Sequence, residues 1–320
     1  MKYKPILIVS GEPKSIFLEI FFKSFIQKKF KSPIILIASK KELFDQIKKF
    51  KLKLTVNMIN LKKIELNKYS KTNINLIDVP LNNYSNSKKI SKSSNYYINK
   101  CFKIALNLIN RKISNKLING PISKKHFLNK KFLGITEYLA KKTNTKKYAM
   151  LIYNKKLSVS PITTHLPLKM VSKNINHNII KEKILLIHKF YKIQFNINPR
   201  IVITCLNPHC ESINNINEDE KIIAPTVKKL KKDGIKILGP LSADTIFLKQ
   251  NRKKFDVIVG MYHDQVLGPM KTLFEYDAIN ITLGLPFIRV SPDHGPNEKM
   301  FGKNLSNPLS LIKALEFLDY

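Results

Sequence analysis

Three histidines carry the first chemical signal in this sequence. His165, His209 and His263 each follow closely on a strand-like run: Leu157 to Ile162, Arg200 to Cys205 and Asp256 to Met261. One histidine at such a place means little, because a hydrogen bond satisfies it. Three at one edge of a parallel sheet can converge on a divalent ion, since neutral imidazole suits Zn, Co, Ni or Mn. The gaps between them are too long for a local metal motif such as HExxH. Spacing alone therefore leaves both readings open. Asp244 and Asp264 can serve as further ligands or as partners that orient an imidazole. For Asp264 a plain helix N-cap explains the residue equally well.

Arg289 is the second signal. Only four of the 57 basic residues are arginine: Arg111, Arg200, Arg252 and Arg289. Where lysine fills nearly every basic position, an arginine points to a need for a rigid fork matching carboxylate or phosphate. Lys271 and Asn280 lie close by in sequence. No Gly-x-Gly occurs, so the chain has neither the common dinucleotide fingerprint nor a P-loop. On residues alone, the reading is a metal-assisted α/β enzyme for a small anionic substrate.

The elements that must position these groups alternate. Lys4 to Ser10 and Pro33 to Ala38 read as buried strands, each followed by a helical pattern, with Ser39 as a helix cap. Such a start argues for parallel sheet layers. Asn82 to Tyr97 reads as a loop and Tyr97 to Leu117 as a helix ending near Gly120. Strands follow near Ala149 to Tyr153 and Ile235 to Leu238. Helices follow over Asn176 to Phe190, Glu218 to Lys232 and Pro308 to Leu318. From Asp256 the order is strand, polar loop, strand (Ala278 to Leu283), polar loop. Open α/β enzymes build sites this way, beyond the carboxyl ends of strands.

Composition bounds the classes. The 320 residues, 43% hydrophobic, suffice for a large core and for two domains. No run approaches the ~20 apolar residues of a membrane helix, and Met1 to Pro13 reads as a first strand and turn, not a signal peptide. Three cysteines, Cys101, Cys205 and Cys210, fit a reduced, cytoplasmic protein. The net charge of +35 raises a nucleic-acid partner. Its lysines are spread evenly and no recognition motif accompanies them, so we read the charge as background and expect neither nucleic acid nor membrane as partner.

The segments Thr163 to Lys169, Leu206 to His209, Gly239 to Phe247, Met261 to Gln265 and Asn280 to Gly295 resemble the 4-hydroxythreonine-4-phosphate dehydrogenase family. Asn119 to Lys124 and Gly134 to Ala140 fit more loosely. The resemblance implies an isocitrate/isopropylmalate-dehydrogenase-like fold of two α/β/α domains, with an active-site cleft between them near a homodimer interface. The expected domains are 1–130 plus 284–320, and 131–283 carrying the metal histidines and the dimer contacts. It implies one divalent ion (Zn, Mg or Co) on His165, His209 and His263, one ligand coming from the other subunit. It implies substrate contacts from Thr136, Lys271, Asn280 and Arg289. The superfamily's NAD loop matches Asp293 to Lys303, so Asp293, His294 and Gly295 become contacts for NAD or NADP. The implied reaction oxidises 4-phosphooxy-threonine and releases CO2, leaving 3-amino-2-oxopropyl phosphate for pyridoxal phosphate synthesis. Asp244 and Asp264 are the candidates for proton transfer. The chain departs from the family at Ile135, where a histidine is usual. It departs also in two normally glycine-rich loops, Gly11 to Phe17 and Cys210 to Ile213.

Overall fold

Ile6 to Val9 and Ile34 to Ala38 are apolar throughout, with none of the alternation that a half-exposed strand needs. They must be covered on both faces, as strands of a parallel sheet are. The computed structural model describes residues 3–64, 69–81, 92–122, 132, 134–210, 217–292, 295 and 297–320, and in it both runs are buried strands. The chain divides into two compact units, Met1–Leu139 with Pro286–Tyr320, and Ala140–Leu285.

The first unit begins with β1 (Ile6–Val9), α1 (Phe17–Gln27), β2 (Ile34–Ala38), α2 (Lys40–Lys49), β3 (Val56–Met58), β4 (Ile74–Asp78), α3 (Lys92–Asn110) and β5 (Lys116–Asn119). Helix α4 spans Ile135–Lys142. The second unit holds β6 (Ala149–Tyr153), β7 (Ser158–Thr163), α5 (Val171–Asn174), α6 (His177–Phe195), β8 (Ile201–Thr204), α7 (Ala224–Lys232) and β9 (Ile237–Leu241). It continues with α8 (Ala243–Ile246), α9 (Lys249–Arg252), β10 (Val257–Tyr262), α10 (His263–Phe274) and β11 (Ile279–Leu283). The first unit then resumes with β12 (Ile288–Pro292) and α11 (Leu309–Leu318).

In the first unit the strand order is β3-β4-β2-β1-β5-β12, every pair parallel. The chain leaves β1 toward β2 on one side and returns through β5 on the other. That reversal opens a crevice beyond the carboxyl ends of β1 and β5. Two glycines line it. A Cβ on Gly120 would lie 2.2 Å from the Ser10 carbonyl oxygen, so only glycine lets the two loops touch. In the second unit the order is β11-β6-β7-β10-β8-β9. There β7, β10, β8 and β9 run parallel, while β6 is antiparallel to β7 and β11.

Three expectations are corrected. The helix expected over Tyr97 to Leu117 stops at Asn110, and Lys116–Asn119 is a buried strand between β1 and β12. Lys112 at φ 60 turns the chain out of the helix. Arg289 lies within a strand, β12, where no strand was expected. A twelve-residue helix, α10, starts at His263 where a polar loop was expected, and contains Pro269. Of the loop expected over Asn82 to Tyr97, residues 82–91 lie outside the described residues, and the rest is helix.

A cap at α2 sets the loop after β1. Ser39 Oγ accepts from Glu42 N at 3.4 Å. In a full capping box the Glu42 carboxylate would reach back to Ser39 N. Here the Tyr97 hydroxyl takes that N–H at 3.0 Å. Glu42 Oε1 instead accepts from Lys14 N at 2.7 Å, pinning a residue in left-handed backbone, φ 53. Burial pushes the Glu42 carboxyl up to about 7, against the Lys14 hydrogen bond. A raised carboxyl pKa costs stability as pH climbs from the unfolded value to the folded one. The cost is absent below about 4.5 and complete above about 7. Glu42→Gln should therefore stabilise the fold by on the order of 2 kcal/mol at about pH 8 and leave it unchanged at about pH 4. Urea unfolding at both pH values tests this, and equal shifts at the two would contradict it.

Candidate metal and substrate site

The central strand of the second unit is β10, with β7 on one side and β8 on the other. All three point the same way, with Tyr262 opposite Thr163 and Ile258 opposite Val202. Their carboxyl ends therefore open on one edge. His263 is the first residue of α10, directly after β10. His165 comes two residues past the end of β7, and His209 five past the end of β8.

The rings of His165 and His263 lie side by side, centroids 5.9 Å apart and planes at 37°. Asp264 Oδ1 is 2.7 Å from His263 Nδ1. A carboxylate on Nδ1 fixes the ring and turns Nε2 outward, as partners of metal-bound histidines do. Asp264 is not the N-cap of α10; that place belongs to Tyr262. His209 is exposed, in left-handed backbone at φ 56 and ψ 15. The Ser242 hydroxyl, 2.7 Å from Asp244, holds the Asp244 carboxyl below its usual range, and His209 adds to this. The chain thus brings His165 to His263, and His209 to Asp244. Among the described residues no three His, Cys, Asp or Glu side chains of this one chain are grouped to hold an ion. His209 does not join the His165–His263 pair within the single chain.

The groups expected to bind substrate divide between the units. Asn280 lies in β11 with its Oδ1 buried and without a hydrogen-bond partner among the described residues. A buried acceptor without a partner costs free energy. Lys271 is half-buried in the last turn of α10. In the first unit, Thr136 is buried in the first turn of α4. Arg289 is 1% exposed and donates Nε to Asn119 Oδ1 at 2.7 Å. Burial pushes its guanidinium down to about 10, while nearby Glu137 pulls it back up. Asn119, to which the sequence reading gave no role, is thus the residue that holds the Arg289 guanidinium. Asp293 and His294 lie outside the described residues, and Gly295 is exposed.

With this geometry in view, residues 29–318 match the family model described as pyridoxal phosphate biosynthetic protein PdxA. The chain belongs to that family. It is 41% identical over 317 residues to the 4-hydroxythreonine-4-phosphate dehydrogenase of Sulfurihydrogenibium sp., covering 97% of this chain and 95% of the relative. The fold is similar to a crystal structure of the Klebsiella pneumoniae 4-hydroxythreonine-4-phosphate dehydrogenase. The TM-score is 0.84 at 28% identity, over 99% of this chain and 97% of that one. It is also 31% identical to the D-threonate 4-phosphate dehydrogenase of Pectobacterium atrosepticum, over 98% of both chains. The chain shares the fold of the Klebsiella pneumoniae 4-hydroxythreonine-4-phosphate dehydrogenase over nearly its whole length, so the expected α/β fold class stands. So does an oxidoreductase role in pyridoxal phosphate biosynthesis.

The altered loop after His209 has a visible cost. Cys210 also has left-handed backbone, φ 64. A side chain there costs roughly 1–2 kcal/mol, part of which glycine returns as unfolded-state entropy. Cys210→Gly relieves this strain, so urea unfolding should show a gain of at most about 0.5–1 kcal/mol, offset by what the Cys210 side chain contributes; a larger gain would contradict the strain argument.

Proposed function

We propose that this chain oxidises 4-phosphooxy-L-threonine with NAD, or NADP, and decarboxylates the resulting 3-keto acid to 3-amino-2-oxopropyl phosphate. The observation that supports it most is the position of His165, His209 and His263 beyond the carboxyl ends of three adjacent parallel strands. We assign these three to one divalent ion, Zn, Mg or Co, with one of them contributed by a second copy of the chain. An ion held there would supply Lewis-acid polarisation of the substrate oxygen, and a bound nicotinamide would supply the hydride acceptor.

The chain's own side chains do the rest. Asp264 holds the His263 ring, and Asp264 or Asp244 takes the hydroxyl proton. Lys271 and Arg289 supply charge for phosphate and carboxylate. Thr136 and Asn280 add polar contacts that fix the substrate's orientation. Asp293, His294 and Gly295 contact the cofactor. The working form is a cytoplasmic homodimer with neither nucleic acid nor membrane as partner. Among the described residues no helix is long and apolar enough to cross a membrane.

The Pectobacterium relative favours a second substrate, D-threonate 4-phosphate. The two substrates differ at the carbon beside the carboxylate. NADH formation from each, with added Zn, Co or Mg, separates the readings. Turnover should be faster with 4-phosphooxy-threonine; folded dimer inactive on both would refute the assignment.

Ile135 stands in the first turn of α4, where the family has a histidine. A charge-assisted hydrogen bond is worth roughly 1.5–3 kcal/mol. Ile135→His should raise kcat/KM for the phosphorylated substrate by roughly 10- to 150-fold. A folded variant no faster than the parent would show that another side chain has taken over this contact.

A further inference from the structure

The loop from β8 to His209 ends in a backbone conformation that costs energy for any residue with a Cβ. Such strain persists only where the surroundings fix it. Two side chains from other elements hold this loop.

Asp219, 1% exposed, opens a short π-helical turn, Asp219–Ile223. Its Oδ1 accepts from Leu206 N at 2.8 Å. Its Oδ2 accepts from Asn207 N at 3.0 Å and Asn207 Nδ2 at 2.9 Å. Gln265, in the first turn of α10, acts from the strand side. Its Nε2 donates to the Cys205 carbonyl at 2.8 Å. Its Oε1 accepts from Thr204 Oγ1 at 2.9 Å and from Met261 N at 2.7 Å. The amide fits because residue 260 is glycine: a Cβ there would lie 2.9 Å from that Oε1 and 2.5 Å from Val266 Cγ1. Thr204, Cys205, Leu206 and Asn207 are thus each tied, and the residue that ties the first two also holds the end of β10 beside His263.

We infer that Asp219 and Gln265 are positioning residues that preset the His209 loop before any ion binds. The inference rests on the metal-ligand role assigned to His209 above. Asp219 is the more exposing test, because Asn at this position turns an N–H toward one of the loop's N–H groups. Outer partners of metal ligands typically cost 10–100-fold in metal affinity when removed.

The experiment is a Co(II) titration, read by visible absorption, of the full-length protein, Asp219→Asn, His209→Ala and the double variant. Asp219→Asn should weaken Co(II) binding by about 10- to 100-fold with unchanged far-ultraviolet circular dichroism. In the His209→Ala background it should cost nothing further, since the ligand it positions is gone. Parental affinity in Asp219→Asn, or an equal loss in both backgrounds, would overturn the inference while leaving the ligand role of His209 intact. Parental affinity in His209→Ala would overturn that role, and this inference with it. If Asp219→Asn does not fold, Asn207→Ala decides. It keeps the buried carboxylate and both backbone bonds, and removes only the side-chain bonds to Asp219 and Glu218. A loss of about 2- to 10-fold supports the inference, and no loss overturns it.

Discussion

Hydrogen bonds from β10 to its parallel neighbours β7 and β8 govern where the chemistry of the second unit can sit. Parallel pairing brings the carboxyl ends of three strands to one edge, and each of the three leads to a histidine. Were one of these strands antiparallel, its histidine would lie at the opposite edge. Everything local then refines this placement. The Asp264 carboxylate holds the His263 ring, and Asp219 and Gln265 tie the His209 loop.

The first unit uses the same logic with different groups. Its all-parallel sheet reverses between β1 and β5, and two glycines let the loops there touch. Arg289 is buried in β12 against Asn119. Burying a guanidinium is expensive unless its hydrogen bonds are met, so the site must supply fixed acceptors around it. The +35 charge has little part in this. It is carried by lysines spread over the whole chain. The arginine-carboxylate pair of Arg200 with Asp256, at 2.9 Å, sits at the opposite ends of β8 and β10 from the histidines.

Of the strands that precede the histidines, Ile201–Thr204 and Val257–Tyr262 were legible as apolar runs rich in β-branched residues, and Ser158–Thr163 as serines set between apolar residues. So was the family, through motifs rich in polar residues at strand ends. What the sequence hid has physical reasons. Lys116–Asn119 is four residues long with polar ends, and the helical spacing before it runs into it. Arg289 is charged, and a charge inside a buried strand contradicts the hydrophobic pattern by which strands are recognised. Helix α10 carries Gly268 and Pro269, both helix-breaking signals, yet packs on β7 and β10. Asp219 acts on the backbone of Leu206 and Asn207, and Gln265 on the carbonyl of Cys205, across loops whose course no spacing rule encodes.

The most direct measurement is the position of a bound ion in crystals of the dimeric protein grown with Zn or Co, located by anomalous scattering. The account predicts one ion about 2.0–2.2 Å from a ring nitrogen of each of His165, His209 and His263, one of the three belonging to a second copy of the chain. An ion held elsewhere, or a dimer in which the three rings cannot reach one point, would contradict it.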